Sequence, residues 1–221
     1  MKRINWLDHI ANLLVVVLGI SIAFYLDQYS SEKRAQTQEK EYLEGLAADL
    51  DADIAALDTL IKFNDLIIEA TVSLIEGVKN NGYEDLTKLR NDVLIIQYNP
   101  PFVAQRTIYE SLKASGKMDL IKEFDLRNQL VELYEQYYRG TSQYDQALDD
   151  HVSNFIKPFF MENVRFNGKN GVEDDFFEEL LFQNMIYSYR YLYGAKNQAY
   201  KNVRDRVLEV RAAMQLRIDQ I

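Results

Sequence analysis

The chain has 221 residues, 48% hydrophobic and 27% charged, with 25 basic against 34 acidic side chains and a formal net charge of -9. Three prolines and nine glycines are too few for a turn-rich β fold, and the apolar fraction is too high for a disordered chain, which leaves an all-α protein with one sizeable core. The absence of cysteine excludes disulfide frameworks, thiolate metal sites and cysteine nucleophiles, and the acidic balance argues against a nucleic-acid partner, whose phosphates need a basic track.

Residues 1–9 form a short N-terminal tail. From Ile10 to Leu26 run 17 residues without a charge, which span roughly 26 Å as a helix, just under the thickness of a bilayer's hydrocarbon core. Trp6 before the run, and Tyr25 and Tyr29 at its far end, place amphipathic rings where the two headgroup layers would lie, and Asp8 and His9 fall at a boundary. The pattern predicts a transmembrane helix over 10–29. A signal peptide, with Lys2 and Arg3 as its basic region and Ser21 and Ala23 as a small-residue cleavage site, is the first alternative; a buried core helix is the second. The apolar run continues past Ala23 through Phe24 and Leu26, which favours a segment that stays attached. Basic residues flank it almost evenly, but Asp27 to Glu32 contains none, so the nearest flank favours a cytoplasmic N-terminus. The expected location is the inner (cytoplasmic) membrane, single-pass, with the C-terminal domain in the periplasm. Ala11, Val15, Gly19 and Ala23 share one face of this helix; with Asn12, the small residues Ala11, Gly19 and Ala23 are candidates for close packing against another membrane helix.

Residues 30–42 are polar helix formers and predict a juxtamembrane helical stalk, followed by an acidic helical bundle domain over 43–221. From Leu43 a seven-residue pattern sets in, with Leu43, Leu50 and Leu57 on one position and Ile54, Ile61 and Ile68 on another, as in the core of a coiled coil. Leu46, Leu60, Ile67 and Leu74 add a third apolar position, as a helix with more than one neighbour requires. Those neighbours are either later helices of the same chain or the same segment of another subunit.

Gly77 to Gly82 ends this helix, and Tyr83 to Tyr98 predicts a shorter one with Leu86, Leu89, Val93 and Ile96 on one side, stopped by Asn99, Pro100 and Pro101. A helix over Gln105–Ala114 ends at Ser115 and Gly116. A longer one over Leu120–Asp150 carries Gly140 near its middle, as a packing glycine or a break. Pro158 opens an aromatic zone, Asn167 to Gly171 reads as a loop, and Glu173 to Ile221 predicts a final helix of up to about 45 residues, bent at Gly194. Its inner face is expected through Phe176, Leu180, Tyr187 and Tyr191, then Val203, Val207, Val210, Met214 and Ile218. This helix matches the combined length of the stalk and the first soluble helix, so the two would run antiparallel and return the C-terminus, with its five basic residues over 201–221, toward anionic headgroups.

Chemistry-bearing patterns are sparse. Glu173, Asp174, Asp175, Glu178 and Glu179 suit a helix start, and Asp49, Asp51, Asp53 and Asp58 lie mostly off the apolar face, as on a solvated surface. His151 has no nucleophile placed beside it by helical geometry, since neighbours in sequence point apart. No catalytic set, metal site or cofactor is predicted. Thr107, Tyr109, Ser115 and Gly116 at one helix end, and Tyr137, Tyr138, Tyr187 and Tyr191 among 15 tyrosines, are candidates for a pocket or interface, because tyrosine buries area while keeping a hydroxyl to bond.

The run LLVVVLGISIAFYLDQY, the segment EYLEGLAADLDADI from Glu41, and AQRTIYESLKASGKMDLI from Ala104 to Ile121 followed by LRNQLVELYEQYY resemble an uncharacterised family of bacterial single-pass membrane proteins, a domain of unknown function abundant in Bacteroidota. The resemblance implies one membrane helix followed by a helical extramembrane body, and it brings no enzymatic activity. The expected role is membrane-anchored assembly, scaffolding or accessory work through helix contacts, as a homo-oligomer or with another envelope membrane protein. A helical sensor module and a metal-dependent hydrolase are the alternatives.

Overall fold

The computed structural model describes residues 6–80, 82–83, 85–164 and 175–221, without the side chains of residues 6–12 and 175. Every regular element among the described residues is helical: α1 (Trp6–Asn80), α2 (Leu86–Ile95), α3 (Thr107–Ala114), α4 (Phe124–Glu132), α5 (Tyr138–His151), α6 (Lys157–Asn163) and α7 (Leu180–Ile218). The loop expected at Asn167–Gly171, with Glu173 and Asp174, lies outside the described residues.

α1 is one uninterrupted helix of 75 residues, about 112 Å long at the usual rise. No proline falls within it, so the apolar segment, the polar stretch after it and the first bundle helix share a single axis. It ends where Gly82 N–H returns to the Gly77 carbonyl at 3.0 Å. Gly77 is required there, because a Cβ would approach the Phe177 and Tyr83 rings to 2.7–2.9 Å. Asp85 then opens α2, its Oδ1 accepting from the N–H groups of Thr87 (2.8 Å) and Lys88 (3.1 Å).

α7 packs antiparallel along α1. Asp51 pairs with Arg211 at 3.0 Å, Asp58 with Arg204 at 2.5 Å, and Asp65 accepts from Asn197 Nδ2 at 2.6 Å. The rungs recur every seven residues on both helices, so the ladder fixes the register over most of the shared length. These contacts correct the expectation of a merely solvated acidic face. Asp53 departs furthest from it: it is buried and accepts from Tyr138 Oη (2.6 Å) and Gln105 N–H (2.8 Å).

α4, α5 and α6 form one continuous rod with two wide, π-type turns at Leu133–Tyr137 and Val152–Ile156. Gly140 lies inside α5 and neither breaks it nor packs closely, since a Cβ there would meet nothing within 4 Å. The second wide turn falls just before Pro158, whose missing N–H and bulky ring cannot continue an ordinary ladder.

α7 begins at Leu180 rather than near Glu173 and runs unbroken through Gly194. Before it, the short turn Asp175–Glu178 buries Phe176 and Phe177. The aromatic part of its inner face is Phe182, Met185, Ile186, Tyr189, Tyr193 and Tyr200; Leu180, Tyr187 and Tyr191 point outward, against expectation. Two tyrosine ladders two residues apart face nearly opposite sides of a helix, and only Tyr189–Tyr193–Tyr200 is in phase with Val203, Val207 and Val210.

The core divides in two. One cluster, nearer the apolar segment, gathers Leu43, Leu50, Leu57, Tyr109, Leu130, Tyr134 and Val207; the other gathers Ile67, Leu74, Val93, Phe160, Phe177 and Tyr189. Between them lies a buried polar belt of Asn64, Asp145, Lys196 and Asn197.

Candidate functional site

The apolar half of α1 is the least ordinary surface of the molecule. Its large hydrophobic side chains from Leu13 to Tyr29 are 50–72% exposed, none of the apolar window is buried, and the helix is long and apolar enough to cross a membrane. A core helix would have buried one face against the bundle. The Ser21 hydroxyl donates to the Val17 carbonyl at 2.8 Å, so it brings no unsatisfied donor into an apolar environment. Gly19 and Ala23 lie exposed on this segment, and a Cβ on Gly19 would meet nothing within 4 Å. Ala11 and Asn12, proposed beside them, are outside the described side chains.

Where α1 enters the bundle, its buried positions are met by the chain's own helices. Leu43, Leu50 and Leu57 are fully buried, with Ile54 and Ile61 partly buried beside them, while Ile68 packs on the far cluster. At the entrance Glu39 is buried and receives Arg217 through Nε (2.9 Å) and Nη2 (2.8 Å), with Lys122 N–H at 2.9 Å. Burial raises the Glu39 pKa, but Arg217 and the Lys122 N–H outweigh it and hold the carboxyl below its ordinary value. The basic residues of 201–221, expected to face headgroups, are instead paired within the bundle: Lys201 with Asp65, Arg204 with Asp58, Arg206 with Glu132, Arg211 with Asp51 and Arg217 with Glu39.

The aromatic candidates separate into buried and open sets. Tyr109 is buried, stacks on Tyr134 at 4.1 Å with planes 4° apart, and donates to Glu135 at 3.1 Å; burial and Glu135 push its pKa up to about 12. Tyr138 is buried on Asp53, and Tyr137 is half-buried under the Arg206 guanidinium. Ser115 closes α3, its Oγ donating to the Ser111 carbonyl at 2.7 Å, and Gly116 takes the left-handed conformation, φ +67°, that glycine adopts freely. Thr107 lines an open hollow of about 500 Å³ with Gln38, Tyr42, Ser111 and Lys117. Tyr187 and Tyr191 lie on the outer side of α7, remote from these residues in the chain, so the structure does not gather the eight into one pocket.

Sequence reasoning missed the belt that holds the extended segment 96–106. Tyr189 and Tyr193 donate to the carbonyls of Ile96 (2.5 Å) and Tyr98 (2.7 Å). Lys196, fully buried, donates to Asn99 Oδ1 (2.8 Å), the Pro100 carbonyl (2.9 Å) and Asp145 (3.0 Å). Tyr200 donates to Asp145 at 2.6 Å and accepts from Phe102 N–H at 2.8 Å. Burial lowers the Lys196 pKa against the opposing pull of Asp145. All three ammonium donors are used, so this lysine is a clamp on main chain and not a free base.

Two further clusters resemble catalytic pairings. Lys88 Nζ and Tyr83 Oη both hydrogen-bond Ser73 Oγ beside an open hollow, but Lys88 also bonds Asp92 at 2.6 Å. Burial lowers the Lys88 pKa, while Asp92 and Tyr83 raise it by more, so the ammonium keeps its proton and cannot activate the serine. His151 Nε2 lies 3.1 Å from the Met185 carbonyl and 3.3 Å from Ser188 Oγ, with its ring stacked on Tyr189. Among the described residues no three His, Asp or Glu side chains are grouped as metal ligands.

Residues 12–188 match DUF6090, described as a family of unknown function, and the chain belongs to that family. No curated protein and no solved structure matches it.

Proposed function

We propose that this DUF6090 member is a single-pass, membrane-anchored assembly or accessory protein of the bacterial envelope. In this reading the apolar half of α1 lies in the inner membrane and the acidic bundle stands in the periplasm, making helix contacts with another copy or with another envelope membrane protein. The observation that carries it is the continuity of α1: turns whose large apolar side chains are at least half exposed run without a break into turns that are fully buried in the bundle. Water would penalise that exposed apolar cylinder, whereas lipid removes the penalty. The polar groups of the bundle support an interaction role over catalysis, since Lys196, Tyr200, Asp145 and Asp53 are consumed in holding one segment of main chain.

The test is alkaline extraction of membranes carrying the full-length chain, followed by detergent solubilisation and mass measurement of the intact particle with its co-purifying proteins. Retention in the pellet and a discrete multimer or a stoichiometric second subunit is the expected result. Release into the aqueous fraction with the first thirty residues intact would remove the anchor, and a bare monomer would remove the assembly role.

A further inference from the structure

We infer that the end of the bundle nearest the apolar helix rests on anionic headgroups of the same bilayer, through the loop Ser115–Glu123 and its lysines Lys117 and Lys122. The inference rests on the anchoring reading and makes the body itself, beyond α1, a lipid-binding element.

The fold brings this loop down to the bilayer. α3 descends alongside α1, from Ile108 against Gly45 to Ser111 and Lys117 beside Gln38, and α4 starts back from Phe124. Lys122 N–H is fixed to Glu39, and its side chain lines a hollow of about 400 Å³ together with Ser31, Gln36 and Arg217. Ser31 and Gln36 lie about 7 and 15 Å beyond Leu26 along the helix axis. Gln38 and Glu39, which set the level of Lys117 and Lys122, lie about 18–20 Å beyond Leu26. The headgroup layer occupies about 5–7 Å beyond the hydrocarbon edge, so lysine side chains extended about 6 Å toward the bilayer come within a Debye length, about 8–10 Å, of the phosphates.

Charge is distributed to suit such a surface. Residues 27–42, 113–127 and 213–221, which make up this end, hold eight basic and eight acidic side chains, whereas the described residues of 43–112 and 128–212 hold 13 basic against 22 acidic. The acidic excess of the described body therefore lies away from the bilayer. At the near end Glu39 is neutralised by Arg217 and Asp119 by Arg127, Glu32 accepts the Gln28 amide and Asp219 the Gln215 amide, and Asp27, Glu41, Glu123 and Asp125 make no ion pair among the described residues, so the end as a whole is neutral. Lys33, Arg34, Lys40 and Lys117 make no ion pair among the described residues, and Lys122 feels Glu39 only beyond ion-pair distance, while the cations of α7 from Lys196 to Arg217 are paired. Phe124 and Leu216, 62% and 66% exposed, add apolar groups to the same end. Uncommitted cations beside exposed apolar side chains are the composition of an element that adsorbs to an anionic interface.

The chain has no cysteine, so a single introduced one reports cleanly. Full-length Ser115→Cys, carrying a fluorophore, is placed in nanodiscs of phosphatidylcholine alone and of phosphatidylcholine with phosphatidylglycerol, each with a headgroup-attached quencher; Glu69→Cys on the distal part of α1 is the control. The expected result is strong quenching at position 115 only with phosphatidylglycerol, weakened by salt and by Lys117→Gln with Lys122→Gln by about five-fold in the contact equilibrium for each lysine. Position 69 stays unquenched. Equal quenching in both lipids, insensitivity to the two substitutions, or no quenching at position 115 overturns the proposal while leaving the anchor standing. Competition by inorganic phosphate without loss of bilayer retention would reassign the lysines to a soluble anion. A chain that fails to co-elute with the nanodisc overturns the anchoring reading itself.

Discussion

Arg217, in the last turn of α7, forms a two-point ion pair with Glu39, whose side chain is 1% exposed on α1. This pair ties the end of the bundle to the helix that leaves it. Removing Arg217 leaves a buried carboxylate with one backbone donor. Arg217→Ala is expected to cost about 3 kcal/mol in chemical unfolding, and Glu39→Gln with Arg217→Gln together to cost less than the sum of the single changes. Because the folded-state pKa of Glu39 lies below its ordinary value of 4.5, its contribution is complete above the unfolded-state pKa and is lost as the pH falls through the folded-state value. Unfolding midpoints between pH 7 and pH 3 should show an acid-side loss that is smaller in Glu39→Gln.

Lys196→Met tests the belt. The substitution preserves length and apolar stem but removes the three hydrogen bonds to Asn99, Pro100 and Asp145. We expect destabilisation of about 3 kcal/mol, with accelerated hydrogen exchange at Phe102, whereas Lys201→Met, on a half-exposed pair, should change stability by less than about 0.5 kcal/mol. Equal effects at the two positions would refute the clamp.

Asn64 is fully buried at a core position of α1, and neither its amide nitrogen nor its oxygen has a partner. Asn64→Leu is therefore expected to stabilise the protein by about 1 kcal/mol, read as a higher midpoint in thermal or urea unfolding. A lower midpoint would mean that the amide is bonded in solution.

The glycines give a paired prediction. Gly77→Ala drives a methyl group into the Phe177 and Tyr83 rings and should cost about 2 kcal/mol. Gly140→Ala meets open space within a helix and should gain about 0.7 kcal/mol. Opposite signs in the same unfolding assay are the expected outcome.

The strongly periodic parts of the fold could be read directly. Leu43, Leu50 and Leu57 announce a buried stripe, Asn99–Pro100–Pro101 an extended stretch, and Ser115–Gly116 a helix end. The inner face of α7 is ambiguous from tyrosine spacing, because Tyr187–Tyr191 and Tyr189–Tyr193 are equally spaced; counting back from Val203 by helical turns selects the second pair. The Asp51–Asp58–Asp65 and Asn197–Arg204–Arg211 series carried a further signal, since seven-residue spacing on both helices specifies an antiparallel ladder. Lys196 carried none: an isolated lysine between aromatic residues reads as a solvated surface residue, and its burial depends on acceptors about a hundred positions away. The π-type turn before Pro158 was likewise hidden, because the proline signals a broken ladder without saying how the chain repairs it.

A shaft without a joint also behaves as a lever. From Leu26 to Asn80 α1 extends about 80 Å, so a ten-degree change in the inclination of its base sweeps the far tip through about 14 Å. Whatever touches the region around Gly77, Tyr83 and Phe177 would experience an amplified copy of any tilt imposed at the other extremity, with no linker to absorb it.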